Sequence, residues 1–449
     1  MTLQPAALQS MNHPRAPPVA YDEAPTHRFH LLVSIAAAGG QFSDGYILGT
    51  IGIALSLATD ALHLNALWLG LLGGASLAGL FAGSLLLAPL ADRLGRRPLL
   101  VATMAVFAAV SLLQFFVTAA WELLVLRLVL GLALGIDYVV CCTVVAEFAP
   151  RRTRGQLLAL LILMWSVGYT AAFVFGTLLA SSGVSESWRW ILFSSAVPSA
   201  VVLLLRWKIP ESPPWLLQVG RIEAARAIIA RYMGENVQLP NIRAVAPGSL
   251  AASWRELFGA RYRVRTAVGA IFYTAQVIPY FALGTFIPTV FGALGIESTY
   301  VSGVVFNVFM LLGSGFGLWV VDRITRRQFL VGGFYVSAAL LLFLAAARVG
   351  PALTVSASAL FAFVLAASTV LDFVYLPELF PTRLRAAGVG VGTAASRVGS
   401  AFSTFMLPLC MQSLGIRPTL GLCVAVLVAG GVMCQAFAPE TRGRSIDVD

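Results

Sequence analysis

Three ionisable residues stand where a sequence rarely puts them: Asp44 in QFSDGYILG, Asp137 in GIDYVVCC and Arg397 in ASRVGS, each inside a long apolar run. A charge at the centre of a membrane-spanning helix costs roughly 2.5–3.5 kcal/mol on insertion scales, so each of them calls for a function. A carboxyl in a low-dielectric cavity responds strongly to what lies beside it, and can load and release a proton as its neighbour changes. A guanidinium matches a carboxylate through two parallel hydrogen bonds. Together these residue types suit proton-coupled movement of a small organic anion. Other chemistries find no footing. No nucleophile–base pair or metal-ligand spacing converges in the chain, so neither an enzyme nor a metal or cofactor is expected, and the lack of a Walker-type loop argues against ATP drive. Cys141, Cys142, Cys410, Cys423 and Cys434 all lie in apolar runs and read as small hydrophobes.

The elements that position these residues are membrane helices. Of 449 residues, 59% are hydrophobic and only 11% charged, where a water-soluble protein carries roughly a quarter charged residues. Apolar runs near the 20 residues needed to cross a bilayer fall at 29–57, 66–90, 98–120, 123–146, 156–183, 188–207, 264–292, 299–321, 328–347, 351–376, 386–413 and 417–437. The expected fold is all-α, with twelve transmembrane helices in two six-helix bundles, 29–207 and 264–437. A polar tail (1–28), a linker (208–263) and a short C-terminal tail (438–449) complete the chain. Within the linker, Ile222, Ala225, Ile228, Ile229 and Tyr232 recur at helical spacing among arginines, as in an amphipathic helix lying on the inner leaflet.

The net charge of +10 is an orientation signal. With the N-terminus cytoplasmic, 25 of the 30 basic residues, Arg206 among them, fall in cytoplasmic segments, and only Arg127, Arg189, Arg348 and Arg417 fall outside. The charge therefore points to no nucleic-acid partner. The expected partners are the lipid bilayer, a small-molecule substrate and the proton, with the chain acting as a monomer in a bacterial inner membrane.

Short signals also recur half a chain apart. DRLGRR from Asp92 returns as DRITRR from Asp322; Glu147, Pro150 and Arg154 return as Glu378, Pro381 and Arg385; Pro210-Glu211 returns as Pro439-Glu440. Three repeats in order indicate duplication of a six-helix unit, an architecture that places a cavity at the interface of the halves and lets them rock about it.

These motifs, with RLVLGLALG opening the fourth helix, PESPPWL after the sixth and the terminal PETRG, resemble the major facilitator superfamily, and within it the sugar-porter-like branch that includes metabolite:proton and phosphate:proton symporters. The resemblance implies a secondary active transporter working by alternating access. It implies a cytoplasmic gate at Asp92, Arg93, Arg96, Arg97, Glu147 and Arg154 and, in the second half, Asp322, Arg323, Arg326, Arg327, Glu378 and Arg385. Asp372, six residues before Glu378, reads as part of that gate. In the phosphate-symporter relatives, acids matching Asp44 and Asp137 are the proposed proton carriers, and the Tyr matching Tyr138 contacts substrate. Their seventh helix carries Trp-x3-Asp-x3-Tyr where this chain has Phe272, Gln276 and Tyr280, and their fifth-helix Gln falls on Trp165. The pattern departs from phosphate binding and favours a larger, more apolar substrate, with Arg397 binding its carboxylate and Asn307 as a further contact. Other departures are Ala88 and Leu318 in place of a motif Gly, Thr325 where the first copy has Gly95, and Pro214 in place of Arg. The rival readings are a sugar or polyol carrier, an exporter of a small hydrophobic compound, and a receptor that binds without translocating.

Overall fold

The structure, a computed structural model, describes residues 19–25, 27–87, 90–240, 255–381 and 384–442. Most of the N-terminal tail, the middle of the linker, the end of the C-terminal tail and Ala88 lie outside the described residues. Twelve long helices carry the fold: α1 (Arg28–Ala58), α2 (Ala66–Ala82), α3 (Arg96–Leu113), α4 (Ala120–Phe148), α5 (Arg154–Ala180), α6 (Ser187–Ser194, then Ala196–Arg206), α7 (Arg263–Thr285, then Ile287–Ala293), α8 (Thr299–Val320), α9 (Arg326–Ala346), α10 (Pro351–Ser368, then Leu371–Glu378), α11 (Arg385–Leu414) and α12 (Ile416–Phe437). Eleven of these spans are long and apolar enough to cross a membrane, and α11, with 30 residues, lies among them as the twelfth. No strand occurs among the described residues beyond one isolated bridge, Val19 to Val237.

The breaks have local causes. Pro198 cannot donate to the carbonyl of Ser194, and the Ser194 and Ser195 hydroxyls bond back to Ile191 and Leu192, so α6 interrupts at Ser195. In α7 the break at Phe286 falls between Pro279, inside the first segment, and Pro288, in the first turn of the second. In α10 the hydroxyls of Ser368 and Thr369 bond back to Leu365 and Ala366 at the interruption.

Pairing between helices repeats across the halves. In the first half α1 packs on α5, α2 on α4 and α3 on α6; six helices later α7 packs on α11, α8 on α10 and α9 on α12. The halves meet through α2 on α11 and α5 on α8, contacts that exchange under the same six-helix shift. The duplication read from the motifs is thus a pseudo-twofold relation between bundles.

The repeated Pro-Glu pairs explain themselves here. Glu211 accepts the backbone N–H groups of Arg96 and Arg97, and Glu440 those of Arg326 and Arg327, so each acid caps the N-terminus of a helix in its own half. The Gly95 to Thr325 departure reflects two capping solutions. Gly95 sits at φ +98°, and a Cβ there would lie 2.3 Å from Glu211. Thr325 keeps an ordinary φ of −68° and offers its hydroxyl to the N–H of Gln328 at 3.3 Å.

The linker corrects one expectation. The helix Ile222–Tyr232 spends its apolar face on protein, not on a leaflet: Ala225 and Ile229 are buried, and Tyr232 stacks on Phe29 of α1 at 4.4 Å. Only Ile222 of the expected apolar set is left largely exposed.

Candidate functional site

A cavity of about 680 Å³ lies between the halves, lined by α1, α2, α4 and α5 on one side and α7, α8, α10 and α11 on the other. It reaches Gly155 in the first turn of α5 and Pro377 near the end of α10, so it runs toward the end of the molecule where α1 begins and α12 stops. At the opposite end the halves touch: the Ser56 and Tyr300 hydroxyls lie 3.3 Å apart, and α1 approaches α7 closely at Gly52 and Thr285.

Five of the expected site residues meet on the cavity wall: Asp44, Tyr138, Trp165, Tyr280 and Arg397. Asp44 is 2% exposed; Gln41 donates to its Oδ2 at 3.3 Å, while Oδ1 has no hydrogen-bond partner among the described residues. Arg397 reaches across the interface and stands over the Tyr138 ring at 5.0 Å, a cation–π contact between the bundles. Trp165 and Tyr280, also from different halves, have ring centroids 6.3 Å apart.

Phe272, Gln276 and Asn307 are fully buried but do not line the cavity. Phe272 packs against Tyr273 and Tyr375, Gln276 donates to Ser368 at 3.2 Å, and Asn307 donates to the carbonyl of Gly303 at 2.8 Å. On α7 the wall is made by Tyr273, Val277 and Tyr280 instead. Successive helical residues point about 100° apart, so a one-residue offset turns a side chain from the wall into the bundle.

Asp137 also stands behind the wall, and its surroundings change its reading. It is fully buried and faces the guanidinium of Arg206, which makes a two-pronged ion pair with both carboxylate oxygens. Thr103 donates to Oδ1 at 2.6 Å and the Cys141 thiol to Oδ2 at 3.1 Å. Arg206 further donates to the carbonyls of Ala36 and Leu100. Arg206 is therefore not a cytoplasmic loop charge but a wholly buried bundle residue at the end of α6. Arg127, assigned to the outside by the charge count, is likewise buried within α4 and donates to the carbonyl of Ile47 at 3.2 Å. Asp372, expected with the gate residues, lines the cavity near Arg397, and the ion pairs of Arg96 and Arg326 do not include it.

The gate motifs form two matching networks. Arg96 bridges Asp92 and Glu147, both at 3.0 Å; Arg326 bridges Asp322 at 3.0 Å and Glu378 at 3.3 Å. Arg97 donates to the carbonyl of Trp207 and Arg327 to that of Gln435, while Arg323 lies over Trp319. Arg154 bonds the carbonyl of Ala149, Arg93 is exposed, and Arg385 Nε has no hydrogen-bond partner among the described residues. The ion pairs of Arg96 and Arg326 each stay within one half, which agrees with a cavity open at this end.

Comparison with known proteins decides the family. The model of the family described as sugar (and other) transporter matches residues 32–448. The chain belongs to that family. The inner membrane metabolite transport protein YgcS of Escherichia coli K12 is 38% identical to this transporter over 425 residues, covering 95% of each chain. Among solved structures, the partially occluded inward-open conformation of the xylose transporter XylE from E. coli matches with a TM-score of 0.79 at 18% identity, over 93% of this chain and all of that one. A D-xylose-proton symporter matches with a TM-score of 0.77 at 18% identity, over 92% and 99%. This transporter is thus a multi-pass membrane protein with the major facilitator fold, and it moves small molecules instead of transforming them.

Proposed function

We propose that this transporter takes up a small organic anion together with protons, as a monomer in a bacterial inner membrane, by rocking its halves about the cavity. The observation that carries the reading is Arg397. The residue is 6% exposed, stands on the cavity wall and keeps Nε without a hydrogen-bond partner among the described residues, a positive group suited to a carboxylate. Asp44, across the interface with one free oxygen, is the group for the proton, and Asp137, saturated by Arg206, holds a charge behind it. Proton coupling is also what the name of the xylose-proton symporter says of that protein. With Arg206 and Arg127 removed from the loops, the basic residues still divide 24 to 3, which supports cytoplasmic termini and a cavity open to the cytoplasm. The gate networks would then join across the halves when that end closes.

A sugar substrate is the second reading, favoured by the family description and by XylE. Sugars are held by many amide groups, and of Gln41, Gln276 and Asn307 only Gln41 lines the cavity, where it is engaged with Asp44. The test is thermal stabilisation of the purified transporter by benzoate, 3-phenylpropionate, xylose and glucose, since a ligand that binds the folded state raises its apparent stability. The carboxylates should raise Tm and the sugars should not, and Arg397→Lys should lower carboxylate affinity at least tenfold without loss of expression. Stabilisation by the sugars alone, or unchanged affinity in Arg397→Lys, would overturn the anion reading.

A further inference from the structure

The second half brings a carboxyl and a guanidinium to the cavity wall and does not join them. Asp372, on the second segment of α10, is 5% exposed, and Arg397, on α11, 6%; Asp372 Oδ1 and Arg397 Nε both lack a hydrogen-bond partner among the described residues. Each lies in the other's field, yet no ion pair joins them among the described residues. The other titratable groups that face Asp372 are phenols: Tyr138 from α4 and Tyr273 and Tyr280 from α7. Buried charges are ordinarily paired or fully hydrogen-bonded, because an unpaired one forfeits its hydration with nothing in return.

We infer that the site recognises a zwitterion, with its carboxylate on Arg397 and its ammonium on Asp372. This rests on the assignment of Arg397 to a substrate carboxylate and adds the group that receives a second charge. A simple anion would satisfy Arg397 and leave the Asp372 carboxyl without a partner, and a neutral sugar would leave both groups without an ionic partner. A ligand with both charges removes both deficits at once. The body of the ligand meets Trp165, Tyr280 and Phe281, whose ring centroids lie 5.3–6.3 Å apart along the same cavity, a surface suited to an aromatic or hydrocarbon side chain.

Three probes with one ring and different charges test this on the full-length transporter: phenylalanine, 3-phenylpropionate without the amine, and phenethylamine without the carboxylate. Phenylalanine should bind at least tenfold more tightly than either of the others. Asp372→Asn should bring phenylalanine down to the affinity of phenylpropionate without weakening phenylpropionate, and Asp372→Glu, which keeps the charge, should retain the preference. Should Asp372→Asn not fold, the ranking in the unaltered protein decides. Phenylpropionate binding as tightly as phenylalanine, or both falling equally in Asp372→Asn, would overturn the zwitterion while leaving Arg397 its carboxylate. Binding of xylose with no binding of either carboxylate would overturn the Arg397 assignment and the zwitterion with it.

Discussion

Asp137 and Arg206 form a closed pair with no solvent access, whereas Asp44 stands on the cavity wall with one carboxyl oxygen unpartnered among the described residues, so two acids alike in sequence differ in what their removal should do. Deleting one partner of a buried pair strands the other charge, at a cost of about 3–5 kcal/mol. Asp137→Asn and Arg206→Gln should each lower the Tm of the purified protein and its expression, and the double variant should recover most of both. Asp44→Asn, nearly isosteric and singly bonded, should keep its Tm within a few degrees, lose proton-driven accumulation and retain counterflow. If Asp137→Asn proved stable and uncoupled while Asp44→Asn still accumulated substrate, the roles would be reversed. The pair was only half legible in the sequence. Asp137 stands out in mid-helix, but Arg206 ends an apolar run just before Lys208, where a basic residue conforms to the topology rule and raises no question. Only the packing of α6 against α1 and α3, with Asp137 of α4 facing its end, turns it inward.

At the level of elements, sequence shows where helices run but not how they are turned. Apolar spans and repeated motifs were enough for twelve helices and a duplicated bundle. The rotational phase of a helix that is apolar on nearly every face carries no such signal, and that is why Phe272 and Gln276 face into the bundle while Tyr273 and Val277 reach the cavity. Asp372 was misread for a related reason, since six residues of separation from Glu378 do not reveal which face each occupies. The helix caps are better defined by local chemistry. Burial pushes the carboxyl of Glu440 up, but the backbone N–H groups of Arg327, Arg442 and Arg326 outweigh it and hold the group below its ordinary value of 4.5. A depressed carboxylate contributes stability above its unfolded value and loses it as pH falls through the folded one. Stability should therefore decline below about pH 4.5, and Glu440→Gln should flatten that part of the profile in thermal denaturation across pH 3–6. A profile unchanged by the substitution would mean that the cap adds nothing to the α9 terminus.

For the whole molecule, the pairing symmetry makes transport a question of which end of the interface is closed. In this conformation closure lies at the end away from the start of α1, and it depends on backbone proximity between halves. A Cβ on Gly52 would lie 1.8 Å from the carbonyl oxygen of Thr285, which a rigid helix backbone cannot relieve by a side-chain rotation. Gly52→Val should therefore hold α1 and α7 apart at this end without touching the cavity wall, where Gly52 has no part. The chain would rest in the opposite conformation, with the end near the start of α1 drawn together. Spin labels on the exposed Asp60 and Glu297 should report a distance several ångströms longer than in the unaltered protein, and uptake should fall at least tenfold because the cavity no longer alternates. Ligand binding from the far side should survive, since Asp44, Tyr138 and Arg397 remain in place. An unchanged label distance with full uptake would show that the Gly52–Thr285 contact is incidental to closure at this end.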